Sequence, residues 1–177
     1  MPSGDPLVLD LGSFRGPAVR IEWDVEALRE LSANKPHPGA DGARPTWRLE
    51  HGPDWDRAGA LRVISASFDD GALLAVAALR PREAVGHDAE EVGAVLVSPQ
   101  GEATKLHEAF LSTEYGPDGR ARRLGLELYE EPTEPPVRVV ADRIAEARQR
   151  IGGEQTALRL RMDGTPGAGL YELAPAG

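Results

Sequence analysis

The segment His51-Gly52-Pro53-Asp54-Trp55-Asp56 places two carboxylates on either side of an indole, with an imidazole just upstream. A carboxylic acid kept protonated beside an aromatic wall can protonate an alkene or orient a water. The indole face would stabilise a neighbouring carbocation. Asp54 and Asp56 are therefore the candidate catalytic residues. The competing reading is a solvated polar loop ahead of a strand, with Trp55 plugging one end of the core.

Trp23, Trp47 and Trp55 all fall in the N-terminal third. Together they would line one end of a small-molecule pocket, since such pockets need aromatic walls and few polar groups. Singly, each serves as well as filler for a core rich in Leu, Val and Ala. His107, Glu127 and Tyr129 lie on strand-like segments and complete the candidate ligand-binding set. Glu127 and Tyr129 face a lumen if Leu124, Leu126 and Leu128 face outward. If the leucines face the core, both are solvated, and burial preference favours that arrangement.

Other chemistries lack their residues. Cysteine is absent, which removes disulfides and thiol nucleophiles. The four histidines (His37, His51, His87, His107) show no metal-binding spacing. Asp54 and Asp56 mimic the opening of a calcium loop, but its twelfth position is Ser65, where a bidentate Glu is needed. The glycine-rich run 164–169 joins two strands rather than opening a helix, so it reads as a turn and not a phosphate cradle. No metal and no cofactor is expected.

The elements that must position these residues are short β runs punctuated by turns. Ala60 to Phe68 alternates, with Arg62, Ile64 and Ala66 on one parity and Leu61, Val63 and Ser65 on the other. Asp69-Asp70-Gly71 then turns the chain into the apolar run Ala72 to Leu79. Val92 to Val97, Ala103 to Thr113, Arg122 to Glu130, Val137 to Ile144, Ala157 to Met162 and Gly169 to Leu173 continue the pattern, and Leu7 to Leu11 and Ala18 to Trp23 precede it. Asp24 to Ser32 has an N-cap Asp and apolar residues at helical spacing, so it reads as a short helix. Asp142 to Arg150 suits a second helix and a strand extension equally. The expectation is a mainly β chain, an antiparallel meander in a single domain over residues 1–177, with one or two short helices. Closure into a barrel would remove its aggregation-prone edges.

The stretch from Phe68 to Leu106 carries a Phe68-Asp69-Asp70-Gly71 hairpin, an apolar strand ending in Leu79-Arg80, and a second hairpin from Gly93 through Ser98-Pro99-Gln100-Gly101. In these features it resembles the calycin, lipocalin-like barrels grouped with carotenoid hydratases (hydroxyneurosporene synthase) and tocopherol cyclase. The likeness extends over about residues 47 to 174 and implies a lipocalin-like β-barrel; relatives of that kind commonly carry two, whereas 177 residues hold a single one. Members often carry an Asp–Trp–Gly segment ahead of the first hairpin; Asp54-Trp55-Asp56 is its nearest counterpart and lacks the glycine.

The functional expectation is a barrel that binds a hydrophobic small molecule. Its enzymatic version is a cofactor-free cyclase, isomerase or hydratase that holds a flexible substrate in a reactive shape. The alternative is a non-catalytic β domain that contacts a protein partner or forms a homodimer, marked by an exposed Leu124, Leu126 and Leu128 stripe. The net charge of −9, from 29 acids and 20 bases, repels phosphate backbones and argues against nucleic acid. No apolar run approaches the ~20 residues of a membrane span, and no secretory signal is visible, so a cytoplasmic location without membrane insertion is expected.

Overall fold

Alternation with a period of two, broken by Gly- and Asp-rich turns, produces an all-β architecture. The computed structural model describes residues 7–10, 18–22, 46–49, 56–86, 89–144, 148–150 and 153–175. These contain thirteen strands and no helix. A three-stranded antiparallel sheet is formed by β1 (Leu7–Asp10), β2 (Ala18–Glu22) and β3 (Thr46–Leu49). The main sheet is built from β4 (Ala58–Phe68), β5 (Leu73–Pro81), β6 (Glu91–Val97), β7 (Ala103–Lys105) and β8 (Glu108–Tyr115), followed by β9 (Ala121–Tyr129), β10 (Val137–Arg143), β11 (Arg148–Arg150), β12 (Gly153–Met162) and β13 (Thr165–Pro175).

Its strand order is β7-β6-β5-β4-β13-β12-β10-β9-β8, antiparallel throughout, with β11 added beside β12. The pairing that would close a meander, its first long strand with its last, is present: β4 pairs with β13 from Phe68↔Gly167 to Ala60↔Pro175. The opening lies instead between β7 and β8. The expected continuous strand from Ala103 to Thr113 is broken at Leu106-His107, where the chain crosses from one sheet edge to the other. Leu106 N–H donates to Ala94 O of β6 (3.1 Å), and His107 N–H donates to Tyr129 O of β9 (2.8 Å). β8 comes within contact distance of β6, but no ladder joins them among the described residues, so the sheet is a curled half-barrel. The helix expected over Asp24 to Ser32 lies outside the described residues. At the ambiguous segment Asp142 to Arg150, Asp142 and Arg143 finish β10 and Arg148–Arg150 forms β11, so strand prevails at both ends.

The turns are those the sequence demands. At Asp69-Asp70-Gly71, the Ala72 N–H donates to Asp70 Oδ1 (2.9 Å) and Phe68 N–H to Ala72 O (2.9 Å). Asp163 and Gly164 join β12 to β13 with φ of 46° and 91°, the paired positive values of a type I′ hairpin, which Asp-Gly tolerates best.

The concave face is filled by the chain's own side chains. Ile64, Ala66 and Phe68 of β4 pack there with Leu74 and Val76 of β5, Leu124, Leu126 and Leu128 of β9, and Leu158, Leu160 and Met162 of β12. The opposite parity of β4 to β6 is buried as well, in a second cluster around Leu61, Val63, Ala75, Ala77, Leu79, Val95 and Val97. Burial on both faces is why Ala72 to Leu79 reads as a continuous apolar run instead of an alternating one. Gly169 lets β13 approach β4 closely: a Cβ there would sit 2.3 Å from Ser65 O and 3.0 Å from Ala66 Cα. Because both obstacles are backbone, Gly169→Ala is expected to destabilise the fold by about 1–3 kcal/mol. A chemical-denaturation midpoint equal to wild type would contradict that packing.

Candidate functional site at the polar end of the half-barrel

On several neighbouring strands the inward-facing parity changes character at one end. Along β4 the concave residues run Phe68, Ala66, Ile64 and then Arg62; along β5 they run Leu74, Val76, Ala78 and then Arg80. On β12, Met162, Leu160 and Leu158 give way to Thr156 and Glu154. The ladder registers Arg62↔Leu173, Ala60↔Arg80 and Glu154↔Leu173 bring these polar ends together. They surround a cavity of about 150 Å³. Its charged lining is Arg62, Arg80 and Arg120 with Glu90 and Glu154, and Tyr115 and Tyr171 add phenol rings. Ala60, Gly119, Ala121 and Leu173 supply the rest of the wall.

Arg62 organises this end. It is 1% exposed, and its guanidinium spans the open side of the half-barrel. Nη1 donates to Thr113 Oγ1 of β8 at 2.6 Å, and Nη2 forms an ion pair with Glu90, just ahead of β6, whose side chain is 3% exposed. One side chain from β4 thus links the two sheet margins that no backbone ladder joins. Arg120 lies 3.4 Å from Glu154. The loop carrying Gly119 and Arg120 is held by Asp118, whose Oδ1 accepts from the Arg120 N–H (3.1 Å) and whose Oδ2 accepts from Arg143 (2.7 Å). These two donors, the backbone one first, hold the Asp118 carboxyl below the usual carboxylate range. Tyr115 is 48% exposed and forms the rim.

Tyr171 lies beneath Arg62 and is 2% exposed. Burial pushes its phenol up to about 12, with the Arg62 guanidinium opposing the shift in part. The unfolded chain ionises this tyrosine near 10, so its contribution to stability is intact below pH 10 and is lost as pH rises through 12. Stability measured from pH 9 to 12 should fall more steeply for wild type than for Tyr171→Phe. Parallel curves would mean the ring is solvated.

The nominated residues whose side chains the structure describes fall elsewhere. Asp54, Trp55 and Trp23 lie outside the described residues, and Trp47 falls in β3 of the small sheet. Asp56 is exposed in the turn that leads into β4. His107 is exposed at the break between β7 and β8. Leu124, Leu126 and Leu128 face the core at 1%, 2% and 0% exposure. Glu127 and Tyr129 therefore occupy the outer face, Glu127 beside Arg138 (3.5 Å) and Tyr129 edge-on to Phe110. Asp56, His107, Glu127 and Tyr129 do not line the cavity. Sequence reasoning missed Arg62, Arg80, Glu90 and Glu154. The available signal was a charged residue on the core parity at the end of an apolar strand, as in Arg62 ahead of Ile64, Ala66 and Phe68.

The chain matches no protein-family model, no curated protein and no solved structure. Among the described residues no group of three His, Asp or Glu side chains is placed to hold a metal ion, and no helix is long and apolar enough to cross a membrane.

Proposed function

We propose that this chain is a small-molecule-binding barrel whose ligand enters at the polar end. The observation that supports the reading is the change of the concave face from packed aliphatic side chains to a charged, tyrosine-rimmed cavity. Structural cores do not need such a lining, because buried charges cost stability unless a specific geometry compensates them. The volume, about 150 Å³, is below the roughly 300–1,000 Å³ of drug-sized sites and suits a compact ligand. A hydrophobic ligand would find its apolar surface at Ala60, Ala121, Leu173 and the two tyrosine rings.

We propose a lipocalin-like (calycin) barrel as its architectural analogue, with full closure of the half-barrel and the cytoplasm as its compartment. The cyclase, isomerase or hydratase version requires a proton donor at the ligand. Both carboxylates lining the cavity are paired with guanidinium groups, so simple binding is the better-supported role. The alternative of a non-catalytic contact domain loses its marker, since the Leu124, Leu126 and Leu128 stripe points inward.

A fragment titration followed by amide NMR tests the reading. Small organic fragments should shift the amides of Ala60, Ala121 and Leu173 while leaving the Ser98 to Gly101 turn unmoved. Shifts confined to the outer face around Phe110 and Tyr129, or no shifts at all, would remove the proposal.

A further inference from the structure

The donors in the cavity specify the chemistry of the ligand, given the binding reading above on which this step rests. Arg62 Nε and Arg80 Nε are both buried, and neither has an acceptor among the described residues. They project from adjacent strands one inward step apart, Arg62 opposite Ala78 and Arg80 opposite Ala60. A buried cationic N–H without an acceptor is costly, so two of them on side chains that line one cavity call for an acceptor supplied from outside.

The charge balance narrows that acceptor. Arg62 is paired with Glu90 and Arg120 with Glu154, whereas Arg80 makes no ion pair among the described residues. Three guanidiniums against two carboxylates leave the lining with one net positive charge. A monoanion neutralises it. A phosphate dianion would bring a second charge toward Glu90 and Glu154, on a chain already at −9. A neutral oily molecule would leave both Nε–H groups unanswered. A carboxylate offers two coplanar acceptor oxygens, the shape that guanidinium groups match best.

The geometry points to a small monocarboxylic acid as the ligand, its carboxylate accepting hydrogen bonds from Arg80 and Arg62 and its apolar body lying against Ala60, Ala121 and Leu173. A cavity of about 150 Å³ holds roughly a benzene-sized body, which sets benzoate as the upper size.

Calorimetric titration of the full chain with sodium benzoate and with benzamide, at constant ionic strength, tests the assignment. Benzoate should bind at least tenfold more tightly than benzamide. Arg80→Met should weaken benzoate at least tenfold and benzamide by a much smaller factor, and Arg80→Lys should retain part of the preference. Equal affinity for acid and amide, or benzoate binding indifferent to both Arg80 substitutions, overturns the carboxylate assignment and leaves the binding cavity standing. Binding of neither compound, together with a silent fragment titration, overturns both.

Discussion

Replacing Arg62 with methionine is expected to lower the unfolding free energy by about 3–5 kcal/mol, a fall of about 10 °C in melting temperature for a chain of this size. The substitution preserves much of the aliphatic volume, so little of the loss comes from packing. It takes the Arg62 counter-charge away from Glu90, whose side chain is 3% exposed, and it removes the donor to Thr113 on the opposite margin of the half-barrel. The double variant Arg62→Met with Glu90→Met should recover most of the loss, because removing both charges of a buried pair is often neutral while removing one is not. Urea unfolding of the two variants decides the matter. A single variant within 1 kcal/mol of wild type would show that the guanidinium does not bridge the seam.

The second large effect belongs to the leucine row of β9. Leu128→Ala empties a site that is fully buried in the concave core, and should cost about 2–5 kcal/mol. Its chain neighbour Glu127 meets Arg138 on the half-exposed outer face, so Glu127→Ala should cost less than about 1 kcal/mol. The contrast between adjacent residues reports which face is inside. Equal losses, or a larger one at Glu127, would place the strand the other way round.

Much of the architecture could be read from residue order alone. Asp70-Gly71 and Asp163-Gly164 announced their hairpins because few other dipeptides accept the required backbone angles, and the period of two from Leu124 to Leu128 announced the buried face of β9. The break at Leu106-His107 was not legible. Ala103 to Thr113 has uniform strand character, and what interrupts it is the distance between two sheet edges, set by strands far away in the chain. The β4–β13 pairing was hidden for the same reason, since it joins residues about a hundred positions apart.

The candidate site was less legible than the fold. Asp54, Asp56 and the tryptophans stand out in the sequence because their side-chain types suggest chemistry locally. The cavity is assembled from single residues at the ends of separate strands: Arg62, Arg80, Glu90, Arg120 and Glu154. No two of these are adjacent in sequence, and each alone reads as a solvated strand end. Only the ladder registers, which align Arg80 with Ala60 and Glu154 with Leu173, reveal that they share an interior. Parity was the one available clue, since Arg62 falls on the same side of its strand as Ile64 and Phe68.

The most direct measurement is a ¹⁵N-detected view of the arginine Nε–H groups during titration with benzoate. Two resonances, those lost in Arg62→Met and Arg80→Met, should move downfield and become protected from exchange as the carboxylate binds. If those two stay fixed while surface arginine signals shift, the anion is held outside the half-barrel and the internal site is contradicted.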